Sequence, residues 1–266
     1  MTSKIVLVTG ASSGIGRATA EYLYEKGHFV YGLSRSKPMG DFSFVHLACD
    51  LTDSEQIVQI KAIIEKECGK IDVLVNCAGV GIGGAIEETE RKDIDWLFSV
   101  NVQSVIQLTQ EMIPFLRKGT NPKIINIGSI AGTLVIPFQA FYSMSKASLS
   151  AFSEALRLEL KPFKIDVTTI LPGDTKTGFT LHRKVTDSKA NSLYKERMER
   201  SLKKMEQDEQ HGKSPLTVAK KIGQLIHRRI MPVNVAIGFE YKLFLFLKRI
   251  LPNRFVSWVL YQMYGK

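Results

Sequence analysis

Cysteine is scarce in this chain: there are three, at 49, 68 and 77, and no Cys-x-x-Cys pair among them. That spacing supports neither a disulfide framework nor a zinc site, and it fits a reducing compartment. The five histidines, at 28, 46, 182, 211 and 227, show no metal-ligand spacing either, so no metal is expected. Internal repeats and low-complexity tracts are missing. Met1-Thr2-Ser3-Lys4-Ile5 leads directly into an apolar run, so no cleavable leader is expected and the reading is a cytoplasmic protein. Acidic residues are outnumbered, 26 against 36 basic, for a net charge of +10. The basic residues form no arginine-aromatic recognition module or zinc-finger pattern, which argues against a nucleic-acid partner.

What is present is enough apolar material for one large domain: 266 residues, 44% of them hydrophobic. Apolar runs at 4–8, 29–33, 43–48, 72–76, 123–127, 166–171 and 233–237 alternate with helical patterns at 17–26, 54–67, 92–116, 142–161 and 215–229. Pro162 would close the fourth helix. Strands that alternate with helices and read as near-continuous apolar runs predict an α/β fold. The expectation is a doubly wound parallel sheet of about seven strands, Rossmann-type, with helices on both faces. The domain is expected over 1–239, followed by a helical extension over 240–266.

Two local patterns carry chemistry. The run Lys4-Ile5-Val6-Leu7-Val8 is followed by Thr9-Gly10-Ala11-Ser12-Ser13-Gly14-Ile15-Gly16 and then a helical pattern. Gly10 permits the tight turn, Gly14 lets backbone approach a pyrophosphate, and Gly16 allows close packing of helix on sheet. The helix N-terminus then faces the phosphates. The second pattern is Tyr142-Ser143-Met144-Ser145-Lys146, in which a phenol and an ammonium four residues apart become neighbours on one helix face. A nearby lysine charge favours phenolate, so the tyrosine pKa is expected to fall and the pair to move protons.

Taken in order, these patterns resemble the short-chain dehydrogenase/reductase family, with its early Thr-Gly-x-x-x-Gly-x-Gly and later Tyr-x-x-x-Lys. Asn76-Cys77-Ala78-Gly79 resembles the family's Asn-Asn-Ala-Gly, with Cys in place of the second Asn, and Asn101, Ser129, Pro172-Gly173 and Thr177 match further family positions. The resemblance spans about residues 4–240. It implies that Tyr142 exchanges a proton with a carbonyl or alcohol oxygen and that Ser129 hydrogen-bonds that oxygen. Lys146 would tune the tyrosine and hold the ribose. Asn101 would fix a backbone distortion and a water that completes a proton relay. It further implies dinucleotide contacts from Gly10, Ser12, Ser13, Gly14, Ile15, Gly16, Ser34, Arg35, Asp50, Leu51, Asn76, Ala78, Gly79, Tyr142, Lys146, Pro172, Gly173, Thr175 and Thr177.

The end of the second apolar run, Ser34-Arg35-Ser36-Lys37, lacks a carboxylate. An acid there would hold the ribose hydroxyls of NAD, whereas Ser34 and Arg35 can accept the 2′-phosphate of NADP, so NADP(H) is the expected cofactor. Residues 178–213, with Arg183, Lys184, Lys189, Lys195, Arg197, Arg200, Lys203 and Lys204, correspond to the family's substrate lid. A homodimer or homotetramer is expected, with Val102, Ile106, Met112, Leu149, Phe152 and Leu156 as candidate interface residues.

The tail 240–266 is apolar and basic. Lys242, Lys248 and Arg249 interrupt its apolar stretch and Pro252 divides it, so it is too short to span a bilayer. It could lie in a membrane interface, close the substrate cleft or extend a subunit interface. All of this points to an oxidoreductase that interconverts a ketone or aldehyde and its alcohol on a bulky, lipid- or steroid-like molecule. The alternative is a dinucleotide-binding regulatory protein without chemistry.

Overall fold

The structure, a computed structural model, describes residues 2–186 and 192–266. Seven of its strands form one parallel sheet: β1 (Ile5–Thr9), β2 (Phe29–Ser34), β3 (Val45–Ala48), β4 (Val73–Asn76), β6 (Lys123–Ile127), β7 (Asp166–Pro172) and β9 (Asn234–Ile237). They lie side by side in the order β3-β2-β1-β4-β6-β7-β9. This is the doubly wound α/β fold expected from the alternation of strand and helix. The order reverses at β1 and β4, where the crevice for a ligand opens in such sheets. A short parallel pair, β5 (Ile82–Gly83) with β8 (Lys184–Val185), stands apart from the main sheet.

Helices cover both faces because the strands have no polar side. On one face α1 (Gly14–Glu25) and α7 (Pro215–Leu225) place Ala20, Leu23, Val218 and Ile222 against Val6, Val8, Val73 and Val75. On the other, α2 (Ser54–Glu67), α4 (Ser104–Leu116) and α5 (Ala140–Glu159) cover Leu7, Leu74 and Ile124. In α2 the residues Ile57, Ile60 and Ile64 recur at helical spacing and are fully buried, each contributing about 1.5–3 kcal/mol. Asp53 caps this helix by accepting from the backbone N–H groups of Glu55 and Gln56. Ser214 does the same for α7 through Leu216, with Pro215 in its first turn.

Two expectations require correction. The pattern over 92–116 predicts one helix, but α3 (Arg91–Phe98) and α4 are separated by a π-helical turn at Ser99–Gln103. Nothing in local propensity breaks this stretch; the cause is tertiary, since Asn101 at its centre is held by partners from elsewhere in the chain. Met112, Leu149 and Leu156, expected as interface residues, are buried within the chain itself, with Phe152 packed against the core that holds Met112 and Leu156. Lys189 lies outside the described residues, so the proposed lid is seen only in part. Its visible helix is α6 (Lys195–Gln210). After β9 the chain forms α8 (Phe239–Ile250) and α9 (Asn253–Tyr264), divided at Pro252 as its sequence predicts.

Candidate active site

The glycine turn is shaped by contact. Gly10 has φ +69°, a left-handed conformation, and a Cβ on Gly16 would fall 2.2 Å from the Gly10 carbonyl oxygen. Only glycine permits this approach of helix to turn. Thr9 ties the turn to the next strand: its Oγ1 accepts from the N–H groups of Cys77 and Ala78 at 2.9 and 3.0 Å. The N-terminus of α1 therefore opens beside the ends of β1 and β4 without an acidic side chain in its first turn.

Next to it, α5 carries Tyr142 and Lys146 on one face, with the Lys146 Nζ 5.9 Å from the centre of the phenol ring. Lys146 is buried and donates to the carbonyl of Ile127 at 2.9 Å, at the end of β6. Ser129 follows that strand and accepts from the Ala131 N–H through its Oγ, and it lies close enough to the phenol to favour its charged form. Asn101 is fully buried. Its amide accepts from the Val80 N–H at 2.8 Å and donates to the Val80 carbonyl at 2.9 Å. The same amide donates to Ser145 Oγ at 3.0 Å, and that hydroxyl donates to the Tyr142 carbonyl. Asn101 thereby pins the loop after β4 to α5 and accounts for the π-turn in which it sits.

The electrostatics differ from expectation in one respect. Lys146 does not lower the tyrosine here. Burial pushes the Tyr142 phenol up to about 12, the Ser129 hydroxyl opposing it, with Glu209 nearby adding to the rise and Arg183 reducing it. Burial likewise brings the Lys146 ammonium down to about 8. Arg183 and Glu209 are paired, and Thr180 also donates to Glu209.

One cavity of about 840 Å³ contains nearly all of this. At one end it is lined by Gly10, Ser12, Ser13, Gly14, Ile15, Gly16, Ser34, Arg35, Asp50 and Leu51. Its middle holds Ala78, Gly79, Ser129, Tyr142, Lys146, Pro172, Gly173, Thr175 and Thr177. A Cβ on Gly79 would lie 3.3 Å from both Lys146 Nζ and Asn101 Oδ1, so the cradle there also depends on a missing side chain. Two expected residues do not line the cavity. Asn101 stands behind it as described. Asn76 points away, donating to Asn126 Oδ1 at 2.8 Å and to Thr109 inside the core. Strand alternation explains this, because Asn76 shares the face of Leu74 rather than that of Val75.

A family model described as short chain dehydrogenase matches residues 4–187. The chain belongs to the short-chain dehydrogenase/reductase family. Members of this family are oxidoreductases that bind a nicotinamide dinucleotide. Among relatives, a 3-ketodihydrosphingosine reductase of Bacteroides thetaiotaomicron is 39% identical across 98% of this chain and 97% of its own length. A 3-oxoacyl-[acyl-carrier-protein] reductase of Haemophilus influenzae is 35% identical over 68% of this chain and 77% of its own. Among solved structures, a short-chain dehydrogenase from Streptomyces avermitilis superposes with TM-score 0.79 at 30% identity, covering 94% of each chain.

The sequence leaves the tail 240–266 open among a membrane interface, the substrate cleft and a subunit interface, and part of it lines the far end of the cavity. Trp96, Leu134, Phe179 and Met205 line that end, and so do Phe244 and Leu247 of α8, Val256, Val259 and Leu260 of α9, and Leu251 between the two helices. The Phe179 ring lies 5.6 Å from that of Tyr142. A signal existed in the apolar tail, but helix periodicity alone does not say which face meets the cavity. Tyr241 joins this roof to the middle of the site: its hydroxyl donates to Asp174, accepts from the Asp174 N–H, and its ring fills the space beside Gly173.

Proposed function

We propose that this chain is an NADP(H)-dependent carbonyl reductase acting on a long-chain, bulky apolar ketone of the sphingoid or acyl type. The observation that carries the reading is the single cavity, which joins a dinucleotide turn, a Tyr-Ser-Lys cluster and an apolar chamber roofed by α8 and α9. The names of the Bacteroides and Haemophilus relatives support a long-chain ketone.

The residues present fit a nicotinamide dinucleotide. The glycine turn and the α1 N-terminus suit the pyrophosphate, and Asp50 with Leu51 the adenine. Ser34 and the exposed Arg35 suit a 2′-phosphate, and no carboxylate closes β2 to repel it. When bound, the reduced nicotinamide supplies the hydride for the carbonyl carbon.

The chain's own groups handle the proton and the charge. A phenol raised to about 12 stays protonated at neutral pH, the state a proton donor to the carbonyl oxygen needs. Tyr142 O–H and Ser129 O–H together hold that oxygen where negative charge develops. The Lys146 ammonium lies 5.9 Å from the centre of the Tyr142 ring and would hold the ribose. Asn101 is a positioning residue that fixes α5 against the loop after β4. Residues 178–213 serve as the substrate lid, and the inner faces of α8 and α9 as the chamber roof. The test is a turnover screen of NADPH and NADH against long-chain ketones, steroids and small aldehydes. Preference for NADPH with a long-chain ketone is expected; exclusive turnover of small polar carbonyls with NADH would overturn the reading.

A further inference from the structure

Helices α8 and α9 have two faces with different duties. Their inner faces line the chamber, yet neither helix contains a fully buried side chain. The outer faces expose Phe239, Leu243, Phe246 and Ile250 along α8 and Trp258 along α9, whose ring stacks on the cavity-lining Phe255 with ring centres 6.0 Å apart. Phe246 and Ile250 are 58% and 62% exposed, and Trp258 57%, so a large apolar surface faces outward beside the chamber. Exposed Lys242, Arg249 and Arg254 are interleaved with it. Over 239–266 the chain has five basic residues, Lys242, Lys248, Arg249, Arg254 and Lys266, against one acid, Glu240, which is paired with Lys213.

The pair is moored to the body at a few polar points. Tyr241 bonds Asp174, Lys248 donates to the Thr133 carbonyl, and Arg197 donates to the carbonyl of Gly265. No helix among the described residues is long and apolar enough to cross a membrane. Each of these two is about 18 Å long, against about 30 Å of hydrocarbon. Aromatic and aliphatic side chains outward, basic residues between them and short length are the features of a helix that lies in the headgroup boundary.

We propose that the outer face of α8 and α9 docks on an anionic lipid bilayer, so that the chamber they roof takes its apolar substrate from that surface. A second copy of this chain is the competing occupant. Charge disfavours it, because a self-paired face would bring like basic residues together, whereas acidic headgroups attract them. The docking stands on the surface alone; the statement about substrate rests on the function proposed above.

The experiment is co-sedimentation of the full chain with vesicles of phosphatidylcholine alone or mixed with phosphatidylglycerol. It compares wild type with the double variant Phe246→Glu, Trp258→Glu, whose side chains face away from the chamber. Wild type should pellet with anionic vesicles and much less with neutral ones. The double variant should bind at least roughly tenfold more weakly while keeping its rate on a detergent-solubilised ketone. Circular dichroism checks that it is folded, and Phe246→Ser, Trp258→Ser is the milder pair should it not be. Absence of wild-type sedimentation, or equal sedimentation of both proteins, overturns the proposal. Light scattering that shows a dimer abolished by the same substitutions overturns it in favour of self-association. Sedimentation needs no turnover, so vesicle binding without reduction of long-chain ketones would leave docking intact and remove the substrate reading.

Discussion

Replacing Lys146 by Met should stabilise the fold while abolishing its chemistry. The ammonium is buried, and burial takes its pKa from 10.5 to about 8. Between those values the unfolded chain binds more protons than the native one, so wild-type stability rises as pH rises through that window. Below about pH 8 the whole penalty is present, and the drop in pKa corresponds to about 3 kcal/mol. Methionine matches the length of the stem but leaves the Ile127 carbonyl without its donor, a loss of about 1 kcal/mol. The net gain is about 2 kcal/mol at pH 7, which for a chain of this size raises Tm by roughly 4–8 °C. Thermal unfolding followed by circular dichroism at pH 7 and at pH 10 measures it. The gain should shrink towards pH 10.5 as wild-type Lys146 becomes neutral in both states. A variant less stable than wild type at pH 7, or a difference that ignores pH, would refute the reasoning.

Arg35→Ala should weaken NADPH binding by roughly tenfold to a hundredfold and leave NADH nearly unchanged, measured by titration calorimetry; equal losses would remove Arg35 from the 2′-phosphate. Asn101→Ala should cost roughly 2–3 kcal/mol in denaturant unfolding, because the Val80 N–H loses its buried acceptor and the Val80 carbonyl and Ser145 Oγ lose their donor. Gly173→Ala would drive a methyl into the Tyr241 ring, so α8 must shift. KM for a long-chain ketone should rise several-fold while NADPH affinity changes little, and an unchanged KM would break the link between Tyr241 and the roof.

The sheet and the cluster were legible because both rest on local patterns. Val6 to Val8, and Ile124, Ile125 and Ile127, are apolar in sequence and buried in the fold, and Tyr142 and Lys146 share a face at helical spacing wherever the helix is placed. What escaped detection depends on partners remote in sequence. The break in 92–116 comes from Asn101 reaching Val80. Asn76 was grouped with Ala78 and Gly79 by adjacency, whereas its position in β4 turns it towards Asn126. The tyrosine was expected to fall because charge was weighed without burial, and burial is the larger effect. The roof stayed one of three alternatives because an amphipathic pair such as α8 and α9 fits a cleft, a membrane or a second subunit equally well until its inner face is seen lining the cavity that holds Tyr142.

The most direct measurement is the initial rate of NADPH oxidation with 3-ketodihydrosphingosine in mixed micelles, for wild type and Tyr142→Phe, alongside NADPH binding to each. Wild type should turn over, and the variant should lose a factor of roughly 100 to 10,000 in kcat while binding NADPH with the same affinity. A variant whose kcat stays within a few-fold of wild type would contradict the assignment of Tyr142 as the proton donor. A wild type inert towards every long-chain ketone would contradict the proposed reaction.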